Sequence, residues 1–371
     1  MNSRDRFELA MEHKNPDRPP IDLGGTIVSS LTAGAYEQLA EHKEIEAEVE
    51  MIDVVQGLIE PPEVLKREYG CDFARLALGN PRSWELEIED DRFTDEFGIV
   101  RQQAAIYYDI VEFPLADADI ADLENYDWPD PSDPGRTLGL EEKASQLYHE
   151  SDYVLIADMI AGGLFEQAQR MRGYENFMLD LKMNQEFAHA LLDKLLEIYI
   201  GFYREYIDAV GDYVHIFALA DDLGMQHGLM ISPETYREFI KPRQRQLYAF
   251  IKERSGGTSI FHHSCGAIFP LIGDLIEVGV DILQSVQTSA AGMDPGRLKR
   301  EYGSDITFHG AIDVQQMLPR REPAEIREKC QEIIEILGED GGYIFSPAHN
   351  IQPDTPPENI EAMFSAVREV N

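Results

Sequence analysis

Short apolar runs alternate along this chain with longer stretches in which apolar residues return at helical spacing. The short runs fall at residues 20–24, 72–76, 153–157, 213–217, 259–262, 281–284, 306–309 and 343–346. Each has the length and the β-branched or aromatic content of a buried strand. Residues 184–209 keep their apolar side chains on one helical face. Ser232-Pro233-Glu234-Thr235 opens a helix with a capping serine and a proline at its first position, and Asp294-Pro295 opens another in the same way. Residues 322–337 and 357–370 supply the helices of the last third. Strands alternating with helices predict parallel pairing through crossover connections. Eight such strands fit a closed (β/α)8 barrel of the α/β class.

Residues 83–113 break this rhythm. Trp84-Glu85-Leu86-Glu87-Ile88-Glu89 alternates apolar and polar, Asp95-Glu96-Phe97-Gly98 reads as a turn, and Ile99-Val100-Arg101 follows. The pattern predicts an antiparallel β insertion after the second strand. A Trp/Pro/Asp loop over 127–134 then leads into a helix near Leu140. No linker or repeat divides the chain, so residues 1–371 read as one domain with an insertion at about 80–135.

Charge narrows the partners. Lysine and arginine number 32 against 69 aspartates and glutamates, a net charge of −37. Nucleic acid and anionic membrane surfaces should repel such a chain. A highly anionic substrate also fits poorly, unless basic residues gather locally. Cys71, Cys265 and Cys330 are an odd, sparse set that suits a reducing compartment. The first residues lack the apolar core of a signal peptide, and no run is long enough to span a membrane, so a cytoplasmic protein is expected.

In such barrels chemistry sits at the C-terminal ends of the strands. Those positions carry Asp22, Asp158, Asp221 with Asp222, His263 with Cys265, Gln284 with Gln287, His309 with Asp313, and His349. His263-Ser264-Cys265-Gly266 places an imidazole and a thiol two residues apart, a pair able to hold a soft metal ion. Joined by His349 they make three ligands and leave the fourth tetrahedral position open, as catalytic zinc requires. The plainer alternative is a buried small cysteine beside a histidine bonded to backbone. Asp221 and Asp222 can hold a substrate hydroxyl, take a proton or orient a ligand histidine, and equally can cap a turn. His309 can serve catalysis or sit satisfied in the core. Asp313 can be a helix cap. Asp22, Asp158, Gln226 and Gln287 are candidate substrate contacts. Arg170 and Arg172 read as surface residues of a helix beside Gly162-Gly163, a pair too weak to indicate phosphate binding.

The chain resembles the uroporphyrinogen decarboxylase superfamily, in its branch of corrinoid-dependent methyltransferases. The resemblance rests on His263-Ser264-Cys265-Gly266, Phe308-His309-Gly310-Ala311-Ile312-Asp313 and His349-Asn350-Ile351-Gln352-Pro353-Asp354-Thr355-Pro356-Pro357-Glu358-Asn359. It implies a (β/α)8 barrel. It also implies zinc held by the His-x-Cys pair and a later cysteine, six residues before the Thr355 motif; here that position is His349. With one thiolate exchanged for imidazole the centre becomes more electrophilic, which suits activation of a methyl ether. Asp221, Asp222 or His309 would then position the donor or protonate the leaving oxygen. The corrinoid (cobalamin) must come on a separate protein, since no segment for binding it is evident, and a homodimer fits the resemblance. The decarboxylases themselves carry an arginine-rich loop near the first strand. Residues 21–30 hold no arginine, which argues against a porphyrinogen substrate. The expected activity is zinc-dependent methyl transfer between a small methylated donor and the corrinoid of a partner. The alternatives are a metal-free decarboxylase of a small carboxylated substrate, leaning on Asp22 or the Asp221/Asp222 pair, and a non-catalytic barrel.

Overall fold

The computed structural model describes residues 1–160 and 162–368. Seven strands form one parallel sheet, hydrogen-bonded in chain order: β1 (Phe73–Leu76), β2 (Val154–Ala157), β3 (Ile216–Ala220), β4 (Ser259–His263), β5 (Ile282–Gln284), β6 (Thr307–Ile312) and β7 (Tyr343–Pro347). The first expected strand shrinks to a single bridge between Ile21 and Phe345. Pro19 and Pro20 lack the N–H groups that a longer ladder needs. The bridge still closes the barrel. Asp22 N–H donates to Phe345 O at 2.9 Å and Phe345 N–H to Pro20 O at 2.8 Å, while on the far side Asp72 N–H donates to Ile21 O at 2.8 Å.

A buried carboxylate fastens this seam. Asp72 accepts from Ser3 Oγ at 2.7 Å, Arg6 Nη1 at 2.7 Å, Arg18 Nη1 at 2.6 Å and the Ile21 N–H at 2.8 Å. The N-terminal helix Ser3–Met11 is thereby tied to the barrel, and its Phe7 meets Phe73 edge-on at 5.9 Å.

Side chains alternate across the strands, as the pleat requires. Phe73, Val154, Ile156, Ile216, Ala218, Phe261, Ile282 and Ile344 form one cluster inside the barrel. The intervening residues, such as Leu155, Phe217, Ile260, Leu283, Phe308 and Phe345, belong to the larger core between sheet and helices. Near the mouth the inward positions turn polar and carry the candidate site.

The helices follow the expected signals. The long helix is Gln185–Val210. Ser232 accepts the Thr235 N–H at 3.2 Å, ahead of a π-turn over Tyr236–Ile240 and the helix Lys241–Arg254. Asp294 accepts the Arg297 N–H at 2.8 Å, and Pro323–Gly338 opens with a Glu322/Glu325 capping box. The last helix runs Pro357–Arg368, and its expected end at Val370 lies outside the described residues. No helix among the described residues is long and apolar enough to cross a membrane.

The insertion after β1 is an antiparallel sheet of Arg92–Thr94, Val100–Ala104 and Tyr107–Glu112. Asp95 Oδ1 accepts the Phe97 and Ile99 N–H groups at 3.0 Å, and Gly98 takes the positive φ of +77° that the turn demands. The alternating stretch 84–89 forms no strand beyond a lone Glu89–Arg92 bridge, because no ladder partner runs beside it. Alternation predicts a face, and a strand also needs a neighbour.

Asp72→Asn removes the charge that compensates the buried Arg6 and the half-buried Arg18 guanidinium groups. It should cost about 3 kcal/mol or more, read as a lower urea midpoint. Asp17→Asn, which strips Arg6 of a half-exposed partner, should cost less than about 1 kcal/mol. Equal losses in the two variants would rule out Asp72 as the fastening of the seam.

Candidate metal centre

The register of β3, β4 and β5 sets the centre. His263 ends β4 opposite Ala220 on one side and Gln284 on the other. The pleat sends His262 outward, where its Nδ1 meets Tyr248 Oη at 2.8 Å and burial pushes its pKa down to about 3. His263 faces the mouth. Just past β4 the chain turns at Cys265, and Gly266 permits this because a Cβ there would meet the Gly224 backbone at 2.6 Å. Just past β7 comes His349.

These three side chains converge. One ligand atom each from His263, Cys265 and His349 lies within 4.8 Å of the others. Cys265 Sγ stands 3.4 Å from His263 Nε2. Donors bound to zinc at ordinary lengths sit about 3.3–3.8 Å apart, so a small contraction completes the fit. Gln284 supports the arrangement from behind. Its Oε1 bonds His263 Nδ1, and its Nε2 donates to Ala348 O at 3.0 Å. That bond directs the His263 Nε2 lone pair toward Cys265. Gln284 therefore holds the His263 ring in place.

Electrostatics keep the histidine ready and the thiol protonated. Burial, with the His263 ring beside it at 5.5 Å between centroids, pushes His349 down to about 4. Burial, reinforced by Asp222, pushes the Cys265 thiol well above its usual value. Asp222 Oδ1 accepts the Cys265 N–H at 2.7 Å and lies 3.5 Å from His263 Nε2, at the edge of the trio.

The other candidates separate by geometry. Asp221 points away from the trio into the helix layer. It accepts the Phe165 and Glu166 N–H groups at 3.2 and 3.0 Å and Gln244 Nε2 at 3.1 Å, capping the helix Leu164–Arg172. Burial raises its pKa to about 7. Gly163 makes this cap possible, since a Cβ there would lie 2.3 Å from the Asp221 side chain. His309 and Asp22 form a buried pair inside the barrel, Nε2 to Oδ2 at 2.9 Å, and His309 Nδ1 has no partner among the described residues. Asp158 accepts from Arg75 Nε and from the Ile27 N–H at 2.9 Å. Gln287 accepts the Gly266 N–H at 3.0 Å and donates to Gln226 Oε1 at 2.9 Å, so this amide pair braces the Cys265 turn. Asp313 accepts the Gln315 N–H at 2.8 Å within a turn.

Three arginines depart from the sequence reading. Arg75, unremarked on its strand, reaches Asp158 inside the barrel. Arg172 is no surface residue: it donates to Asp180 and to the Leu115, Ala116 and Ala118 carbonyls. Arg170 pairs with Glu166 and lines a cavity that also reaches Asp222. The β insertion covers that helix face, and helical periodicity carries no sign of such a cover.

The uroporphyrinogen decarboxylase (URO-D) family model matches residues 110–370. The chain belongs to that family. A methylated-thiol–coenzyme M methyltransferase of Methanosarcina mazei is 28% identical over 247 residues, 66% of this chain and 62% of that protein. A uroporphyrinogen decarboxylase of Magnetococcus marinus is 25% identical over 386 residues, 100% of this chain and 97% of that one. The chain thus spans under two thirds of the first relative and nearly all of the second. A solved methyltransferase structure from M. mazei superposes with a TM-score of 0.67 at 17% identity, covering 100% of this chain and 99% of that one, which shows a shared URO-D-type barrel fold.

Two outcomes test the centre. Zinc needs the thiolate, so its binding should release about one proton, from Cys265, and tighten about tenfold per pH unit near neutrality. His349, already neutral above about pH 4, should add no proton of its own. Titration calorimetry in buffers of different ionisation heat reads the number, and an affinity flat with pH would contradict Cys265 as a ligand. Gln284→Ala should weaken zinc about 10–100-fold, measured by chelator competition on protein that still unfolds cooperatively.

Proposed function

We propose that this chain is a zinc-dependent methyltransferase. It moves a methyl group between a small methylated donor, with a methyl ether as the favoured class, and the corrinoid of a separate partner protein. The observation that carries the reading is the convergence of His263, Cys265 and His349 at the barrel mouth. Its membership of an enzyme family with methyltransferase relatives supports the same reading. Zinc held by that trio supplies a Lewis acid at the donor heteroatom.

The chain's own residues do the rest. Gln284 fixes the His263 tautomer, and the Gln226–Gln287 pair steadies the turn that carries Cys265. Asp222, beside the trio, would orient the donor or pass a proton to its leaving atom. His309 and Asp22 offer a second polar pair, whose free Nδ1 could meet a bound group inside the barrel. Asp221 and Asp313 act through the backbone they cap. We also read residues 1–371 as one domain that works in the cytoplasm, as monomer or homodimer, without nucleic acid or membrane.

Metal analysis of anaerobically purified protein tests this first. About one zinc per chain is expected in the wild type, and loss of it in both Cys265→Ala and His349→Ala. With a reduced corrinoid protein and a methoxylated donor, both variants should lose at least about 100-fold in demethylation rate. A metal-free wild type that releases carbon dioxide from a carboxylated substrate would put the decarboxylase in its place.

A further inference from the structure

The two histidines of the trio are set in opposite senses. Gln284 Nε2 donates to the Ala348 carbonyl at 3.0 Å, which fixes the amide so that its oxygen meets His263 Nδ1. An amide oxygen only accepts, so His263 carries its proton on Nδ1 and offers the Nε2 lone pair beside Cys265. His349 faces the reverse. Its Nδ1 is met by the backbone N–H of Asn350 at 2.8 Å. A backbone N–H only donates, so Nδ1 holds the lone pair and the neutral ring carries its proton on Nε2.

That arrangement does not bind metal as it stands, because a ligand nitrogen must present a free lone pair. The one lone pair of the His349 ring is taken by Asn350. Binding through Nδ1 displaces the N–H. Binding through Nε2 moves the ring proton to Nδ1, where it confronts the same N–H. Either route breaks the same bond. The turn gives that N–H little room to withdraw. Asn350 is fully buried, its Oδ1 accepts the Ser30 N–H at 2.9 Å, and the Ile351 N–H donates to Ser30 O at 3.0 Å. The Thr32 N–H donates to Ile351 O at 3.1 Å, and Gln352 Oε1 accepts from Tyr107 Oη at 2.7 Å. The ring is therefore the part that turns. His263 meets no such opposition, since its bond to Gln284 suits the metal-free and the metal-bound ring alike.

We propose that the Asn350 N–H is a latch on His349 that only an imidazole-binding metal opens. His263 and Cys265 take the ion first, and His349 closes the site last, once its Nδ1 bond is broken. Asn350 is thus a positioning residue that acts through its backbone N–H. His349 is the weaker of the two imidazole ligands, although both follow strands of one barrel. An ion with little affinity for imidazole, such as magnesium, cannot open the latch. The inference rests on the zinc reading of the trio and adds an order of assembly to it.

Long-range proton–nitrogen spectra of the full chain, labelled with nitrogen-15 histidine, test the latch, with His263→Gln and His349→Gln assigning the two rings. In chelator-treated protein His349 should be protonated on Nε2 and His263 on Nδ1. Zinc, or cadmium-113 as a spin-active substitute, should leave the His263 proton in place and change the His349 nitrogens, and the Asn350 amide proton should lose its hydrogen-bonded shift. Magnesium should change neither ring. A metal-free His349 protonated on Nδ1 overturns the latch. Chelator competition gives a second readout. His263→Ala should weaken zinc about tenfold more than His349→Ala, the scale of one hydrogen bond broken on closure, and equal or reversed losses overturn the latch. Uptake of neither zinc nor cadmium overturns the methyltransferase reading together with the latch, whereas a bound ion with the Asn350 bond intact overturns the latch alone.

Discussion

Everything at the mouth of this barrel depends on a closure made by very little backbone. One bridge at Ile21 stands where a full strand is expected, and it joins β7 to β1. The ladder alone is too short to hold such a seam, so side-chain chemistry takes over. Asp72 gathers Ser3, Arg6, Arg18 and the Ile21 N–H on one buried carboxylate. Closure sets the curvature of the sheet, and the curvature brings the ends of β4 and β7 close enough for His263 and His349 to face each other. The bonds at the bottom of the barrel thus act on the geometry at its top.

The pleat then sorts neighbouring residues into different jobs. His262 and His263 are adjacent, yet one bonds Tyr248 in the helix layer and the other turns to Cys265 at the mouth. Asp221 and Asp222 divide in the same way, the first capping a helix and the second touching the Cys265 turn. A carboxylate pair in sequence is not a pair in space when it straddles the end of a strand. The inner cluster of Phe73, Ile216, Phe261 and Ile344 fills the barrel interior beside the Arg75–Asp158 and His309–Asp22 pairs and leaves the strand ends to polar groups. That is why polar side chains collect at the mouth.

What the sequence made legible follows from range. Seven of the eight strand runs, the Ser232 and Asp294 caps and the Asp95–Gly98 turn are local, and each stands as expected. The convergence of the trio was legible because its members follow strand-like runs and one barrel brings strand ends together; His349 drew added support from its spacing to the Thr355 motif. Stretch 84–89 misled because its alternation is local while its missing partner is not. Gln284 was placed at the mouth, but its bond to His263 depends on the β4–β5 register. Arg101 and Arg170 lie 69 residues apart by number, on an insertion strand and a barrel helix. No periodicity in either segment encodes their meeting, and an amphipathic helix whose polar face is roofed looks like one that faces water.

The same contrast explains how such a fold can vary its chemistry. The trio and its supports come from β4, β5, β7 and the turns just after them, all held by the closed sheet. A shift there would break ligand geometry and core packing together. The cavity beside it draws Arg101, Tyr108 and Ile110 from a hairpin sheet outside the barrel, where substitution disturbs neither the seam nor the ligands. A barrel of fixed reaction class can therefore change its substrate by changing its insertion.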